Sequence, residues 1–104
     1  MILLSLNLRG TGGTLKEAFV RRLLDSTQPS ILFFQETLVK AEKARSFLQK
    51  FRPTWASSAV SSVGTSRGLL VAWDPLLYNL VPFLTCGGIL LSGSIISSNR
   101  EINL

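Results

Sequence analysis

The chain has 104 residues, with 11 Lys and Arg against 6 Asp and Glu, a net charge of +5 and no histidine. This length holds one domain at most, and the missing histidines exclude a histidine general base, a histidine zinc ligand and every serine–histidine mechanism. Cys86 is the single cysteine, so no intrachain disulfide or cysteine metal cluster can form, which suits a reducing, intracellular compartment.

Residues 2–8 are rich in Ile and Leu and alternate loosely, the pattern of a short strand in a buried sheet. Arg9-Gly-Thr-Gly-Gly is a turn, and Thr14-Leu-Lys-Glu17 has the form of a capping box that opens a helix. That helix is expected to run to about Ser26. Leu15, Phe19, Leu23 and Leu24 would share one face, with Lys16, Glu17, Arg21, Arg22 and Asp25 opposite. Glu17 and Arg21 have the i,i+4 spacing of an ion pair, and Pro29 stops the pattern. Ser30–Gln35 reads as a second buried strand. A second helix is expected from Ala41 to Phe51, burying Ala44, Phe47, Leu48 and Phe51 and ended by Pro53. Strands are expected at 54–60 and 68–73, around a Ser- and Gly-rich turn, and Asp74-Pro75 closes the second of them.

From Pro75 to Asn99 no residue is charged, long enough to raise a membrane span. Asn79, Pro82, Gly87, Gly88 and Gly93 interrupt the stretch, which suits strands at 78–85 and 88–96 joined by a turn. A last strand begins near Glu101. The expected order is therefore βαβαβ followed by antiparallel strands, an α/β fold. At 46% hydrophobic and 16% charged, the chain is more apolar than ordinary soluble domains, which are about a quarter charged. With the pattern stopping in mid-strand at Leu104, we expect residues 1–104 to be the opening portion of a larger core.

A right-handed crossover makes the strands 2–8 and 30–35 parallel, with their carboxyl ends on one sheet edge, where ligands of α/β sheets bind. Asn7 and Glu36 are the polar residues at those two ends. Together they form a candidate site for a hard cation such as Mg²⁺, which takes oxygen ligands and few protein groups; equally, strands often end in polar residues. Arg9 follows Asn7 at the same edge. Lys40, Lys43 and Lys50 line one face of the second helix, either for phosphate contacts or simply as a solvated face. The positive balance favours an anionic partner, nucleic acid before a membrane surface. Asp74 reads as a cap or turn residue, and Trp55 and Trp73 as core.

Ser5-Leu-Asn-Leu-Arg-Gly10, Arg21-Arg-Leu-Leu24, Gln28-Pro-Ser-Ile-Leu-Phe-Phe-Gln-Glu-Thr37, Arg67-Gly-Leu-Leu-Val-Ala-Trp-Asp74 and Gly88-Ile-Leu-Leu-Ser-Gly-Ser-Ile95 occur in an order and spacing with a familiar counterpart. The chain resembles the start of the endonuclease/exonuclease/phosphatase superfamily, most of all the endonuclease domains of plant LINE-type retrotransposons. Gln35-Glu36-Thr37 after an apolar strand is the most specific piece. The resemblance implies the N-terminal part of a four-layer α/β/β/α sandwich and Mg²⁺-dependent phosphodiester hydrolysis of DNA, with nuclear action. It implies that Asn7 helps arrange phosphate and metal and that Glu36 is a metal ligand, both catalytic in the family. The family's Trp before the Asn is Leu6 here. Its later Tyr, its Asp-x-Asn pair and its closing Asp-His find no match within residues 1–104, so the chain alone is expected to lack the general base. The alternative is a non-catalytic remnant that binds nucleic acid or a protein partner.

Overall fold

Two five-residue apolar runs seed the first sheet. In the computed structural model, which describes residues 1–64, 66–85, 88–96 and 100–104, β1 (Leu3–Asn7) and β2 (Ile31–Gln35) lie parallel. Leu3 stands opposite Ile31, and Asn7 opposite Gln35. The helix α1 (Thr14–Thr27) makes the crossover between them, and α2 (Ala41–Gln49) follows β2. β3 (Ala56–Val60) and β4 (Leu69–Trp73) complete this sheet in the order β1-β2-β4-β3, with β4 antiparallel to both β2 and β3. A second, antiparallel sheet holds β5 (Tyr78–Thr85), β6 (Gly88–Ile95) and β7 (Arg100–Asn103) in sequence order. Cys86 lies outside the described residues.

The alternation of β2 and β4 explains the layering, because successive strand residues point to opposite faces. Leu32, Phe34, Leu70 and Ala72 meet Val20 and Leu24 of α1 and Ala44, Phe47 and Leu48 of α2. On the other face Ile31, Val71 and Trp73 meet Tyr78, Leu80 and Leu91 of the second sheet. The first sheet is thus covered by helices on one side and by a sheet on the other, an α/β arrangement of three layers. A helical layer over the outer face of the second sheet, the fourth expected layer, is not among the described residues; Val81, Phe83 and Leu90 stand exposed there. Among the described residues, no helix is long and apolar enough to cross a membrane. The expected strand at 54–60 begins two residues later, at Ala56.

Three local expectations need correction. The capping box does not form: Gly13, with φ 93°, is the N-cap, Thr14 is already helical, and no side chain caps the helix. Glu17 instead turns its carboxylate to Arg21 at 3.6 Å and to Lys50 at 3.5 Å, so the expected i,i+4 pair is present and extends to α2. Of the face that α1 was expected to bury, Leu24 is buried and Leu23 partly so, but Leu15 is 86% and Phe19 54% exposed. The stripe turned to the sheet is Lys16, Val20 and Leu24, spaced i, i+4, i+8, with the Lys16 ammonium donating to the Leu8 carbonyl. Val20 and Leu24 on this stripe pack into the core beneath the sheet. Finally, α2 stops at Gln49, although Phe51 is buried as expected because the next turn still folds back on Leu48.

Candidate functional site

Parallel pairing brings the ends of β1 and β2 to one edge, and the antiparallel entry of β4 brings Arg67 and Gly68 to the same edge. The second sheet covers β2 and β4 but leaves β1 open on that side. Ser5 and Asn7 accordingly remain exposed while Leu4 and Leu6 turn toward the helices. Backbone bonds join the three segments. The Leu8 N–H donates to the Gln35 carbonyl at 2.9 Å, the Gly10 N–H to the Glu36 carbonyl at 2.9 Å, and the Leu38 N–H to the Arg67 carbonyl at 2.8 Å.

Within that frame the two residues expected at the site do meet. The Asn7 amide N–H donates to Oε2 of Glu36. The other carboxylate oxygen, Oε1, faces the Arg67 guanidinium at 3.6 Å. Gln35 is turned away and donates to the Ser5 hydroxyl at 2.7 Å, so the amide of the Gln-Glu-Thr run supports the strand pair while Glu36 faces solvent. Arg9 lies exposed on the same edge and makes no ion pair among the described residues.

The backbone of this edge is unusual. Arg9, Glu36 and Leu38 have φ of 53°, 52° and 58°, a left-handed region that costs a non-glycine residue of order 1–3 kcal/mol. Such conformations persist where the surroundings over-determine them, and here the three cross-segment bonds do so. Gly68, at φ 87°, is required on two counts, because a Cβ there would lie 2.2 Å from Thr37 Oγ1. Thr37 itself is fully buried, and its hydroxyl has no hydrogen-bond partner among the described residues. The side chain next to Glu36 is therefore fixed by packing against a bare glycine.

A carboxylate with an adjacent amide suits a hard divalent cation that keeps most of its waters, since Mg²⁺ is commonly held by one or two carboxylates and its substrate's phosphates. No group of three or more His, Cys, Asp or Glu residues gathers among the described residues, so an all-protein cage is not what this edge offers. As oriented, Asn7 gives its amide N–H to Glu36, which makes it the group that aims the carboxylate.

Other expected residues separate from the site. Lys50 is occupied by Glu17, whereas Lys40 and Lys43 are exposed at and after the start of α2. Asp74 sits at the opposite edge, where its Oδ1 accepts the Leu76 N–H at 2.9 Å; it is a turn residue, as expected. Trp73 is core, and Trp55 is partly buried under the Arg52 guanidinium at 5.7 Å. Arg67 was not expected at the site. Its signal was the position directly ahead of Gly68 and an apolar strand, legible only once that strand is known to run antiparallel to β2.

Compared with known proteins, the chain matches no family model and no curated protein.

Proposed function

We propose that the chain is the N-terminal, metal-binding part of a Mg²⁺-dependent phosphodiester-hydrolysing DNA endonuclease domain of retrotransposon type, built as a four-layer α/β/β/α sandwich and inactive alone. The observation that carries this reading is the meeting of Asn7 and Glu36 at the carboxyl edge of a parallel strand pair, on an exposed face, with Arg9 and Arg67 beside them. Glu36 would hold the cation and Asn7 would aim its carboxylate. The chemistry a cation held there would supply is polarisation of a phosphoryl oxygen and stabilisation of the leaving oxygen. Arg9 would contact a neighbouring phosphate of the DNA, a sequence-independent contact that sets position and affinity. Deprotonating the attacking water needs a base that no histidine of this chain supplies, so the remainder of the centre would come from a C-terminal half of the domain.

A second reading has its own support. Both oxygens of Glu36 already have protein partners, Asn7 and Arg67, as in a remnant that binds nucleic acid through its basic edge without metal. Calorimetric titration of Mg²⁺ separates the two. The metal-binding reading expects one weak site in the wild type, lost on Glu36→Gln, and no plasmid nicking by either protein. Mg²⁺ binding unaffected by Glu36→Gln would leave the metal-free reading standing.

A further inference from the structure

Both carboxylate oxygens of Glu36 are held, but by different kinds of group. Oε2 receives a neutral amide N–H from Asn7, and Oε1 faces the charged guanidinium of Arg67 at 3.6 Å. The arginine's backbone is fixed although its side chain is 70% exposed. Its carbonyl accepts the Leu38 N–H, and the next residue, Gly68, is locked against Thr37 by a contact that admits no Cβ. The guanidinium therefore starts from a rigid point beside Glu36 and remains free to swing at its far end. A cation reaching Glu36 meets a carboxylate whose charge is already partly balanced, and like charges at this separation repel.

Resting on the metal-binding reading above, we propose that Arg67 is a positioning residue that acts as an internal counter-ion of Glu36, occupying the carboxylate until a divalent cation displaces it and so setting the cation affinity of the site. The exchange raises the charge of the edge by that of the cation, which favours an incoming anion. Without the cation, Glu36 is neutralised by Arg67; with it, Arg67 is released toward the solvent side, where an anionic phosphate would lie. Arg9, which has no carboxylate partner among the described residues, would contribute to anion binding in both states.

The test is Mn²⁺ binding to the full 104-residue chain, read from the free-ion signal in electron paramagnetic resonance. It compares wild type, Arg67→Met, Arg67→Lys and Glu36→Gln, with circular dichroism to show that each folds. Arg67→Met keeps the apolar stem and removes the charge. It should bind Mn²⁺ about two- to fivefold more tightly, the range an exposed ion pair of this kind supports. Arg67→Lys should stay within about twofold of wild type, because it restores the charge without the fork. In 1 M salt the advantage of Arg67→Met should shrink, since the Debye length falls to about 3 Å; a purely structural role of the arginine would show no such dependence. Equal or weaker binding by Arg67→Met at low salt would overturn the counter-ion role while leaving the metal site intact. Mn²⁺ binding absent from the wild type and Arg67→Met alike, or unchanged by Glu36→Gln, would overturn the metal-binding reading and the counter-ion role with it. Should Arg67→Met not fold, Arg67→Gln carries the same expectation.

Discussion

The two edges of the first sheet are made of the same strands yet differ in kind. At the carboxyl edge lie residues 8–13, 36–40, 61–64 and 66–68; at the other lie 28–30, 52–55 and 74–77. Among the described residues, every positive φ except that of Gln28 belongs to the carboxyl edge: Arg9, Gly10, Gly13, Glu36, Leu38, Gly64 and Gly68. Gln28 has an ordinary reason, since it is the left-handed C-cap of α1, its N–H bonded to the Leu24 carbonyl. The charges also sort. Arg67 pairs with Glu36 at one edge, where Arg9 is also exposed, whereas Asp74 at the other is satisfied by its own turn. One edge is built for local stability. The other holds strained backbone and exposed charge, a combination that clusters at binding and catalytic sites.

Substitutions at matched positions sharpen the contrast. The largest effect is expected at Gly68. Alanine there adds a Cβ 2.2 Å from Thr37 Oγ1 at a φ of 87°, and should cost about 2–4 kcal/mol in urea denaturation through strain and overpacking together. Gly64→Ala, in open space at φ 59°, is the control for strain alone and should cost about 1–2 kcal/mol. At the opposite edge, Asp74→Ala removes the acceptor of the Leu76 N–H and should cost about 1 kcal/mol, with cation binding unchanged. The smallest effect on stability belongs to Arg9→Ala, within about 0.5 kcal/mol. Its signature lies in DNA binding measured across a salt series, where the slope of log K against log salt should flatten by about 1. A stability loss at Arg9 as large as that at Gly68 would show that the edge is ordinary structure.

Much of this arrangement was legible in the residues. The apolar runs 2–8 and 30–35 and the helix-length spacing between them made a parallel pair the natural outcome, and the polar residues ending those runs, Asn7 and Glu36, do meet. The core face of α2 was also readable, because Ala44, Phe47, Leu48 and Phe51 lie on one helical stripe. The face of α1 was legible only in part: Leu24 is buried as expected, but Val20 takes the place beside it that Leu15 and Phe19 were expected to fill, a choice made by packing against the sheet that periodicity does not encode. Thr14 and Glu17 fitted a capping box, but Glu17 found cations on α1 and α2 instead, a tertiary preference overriding a local one. Arg67 was hidden because its nearness to Glu36 arises from pairing between residues 34 to 42 positions apart in sequence.

Paramagnetic broadening of amide resonances by Mn²⁺, recorded on the wild-type chain and on Glu36→Gln, tests the difference between the edges most directly. Substoichiometric Mn²⁺ should broaden the signals of Asn7, Arg9, Glu36, Thr37 and Gly68 first, leave those of Asp25, Ser30 and Asp74 sharp, and broaden none selectively in Glu36→Gln. Broadening that begins at Asp25 and Asp74, or that survives the loss of the Glu36 carboxylate, would contradict a cation site at the carboxyl edge.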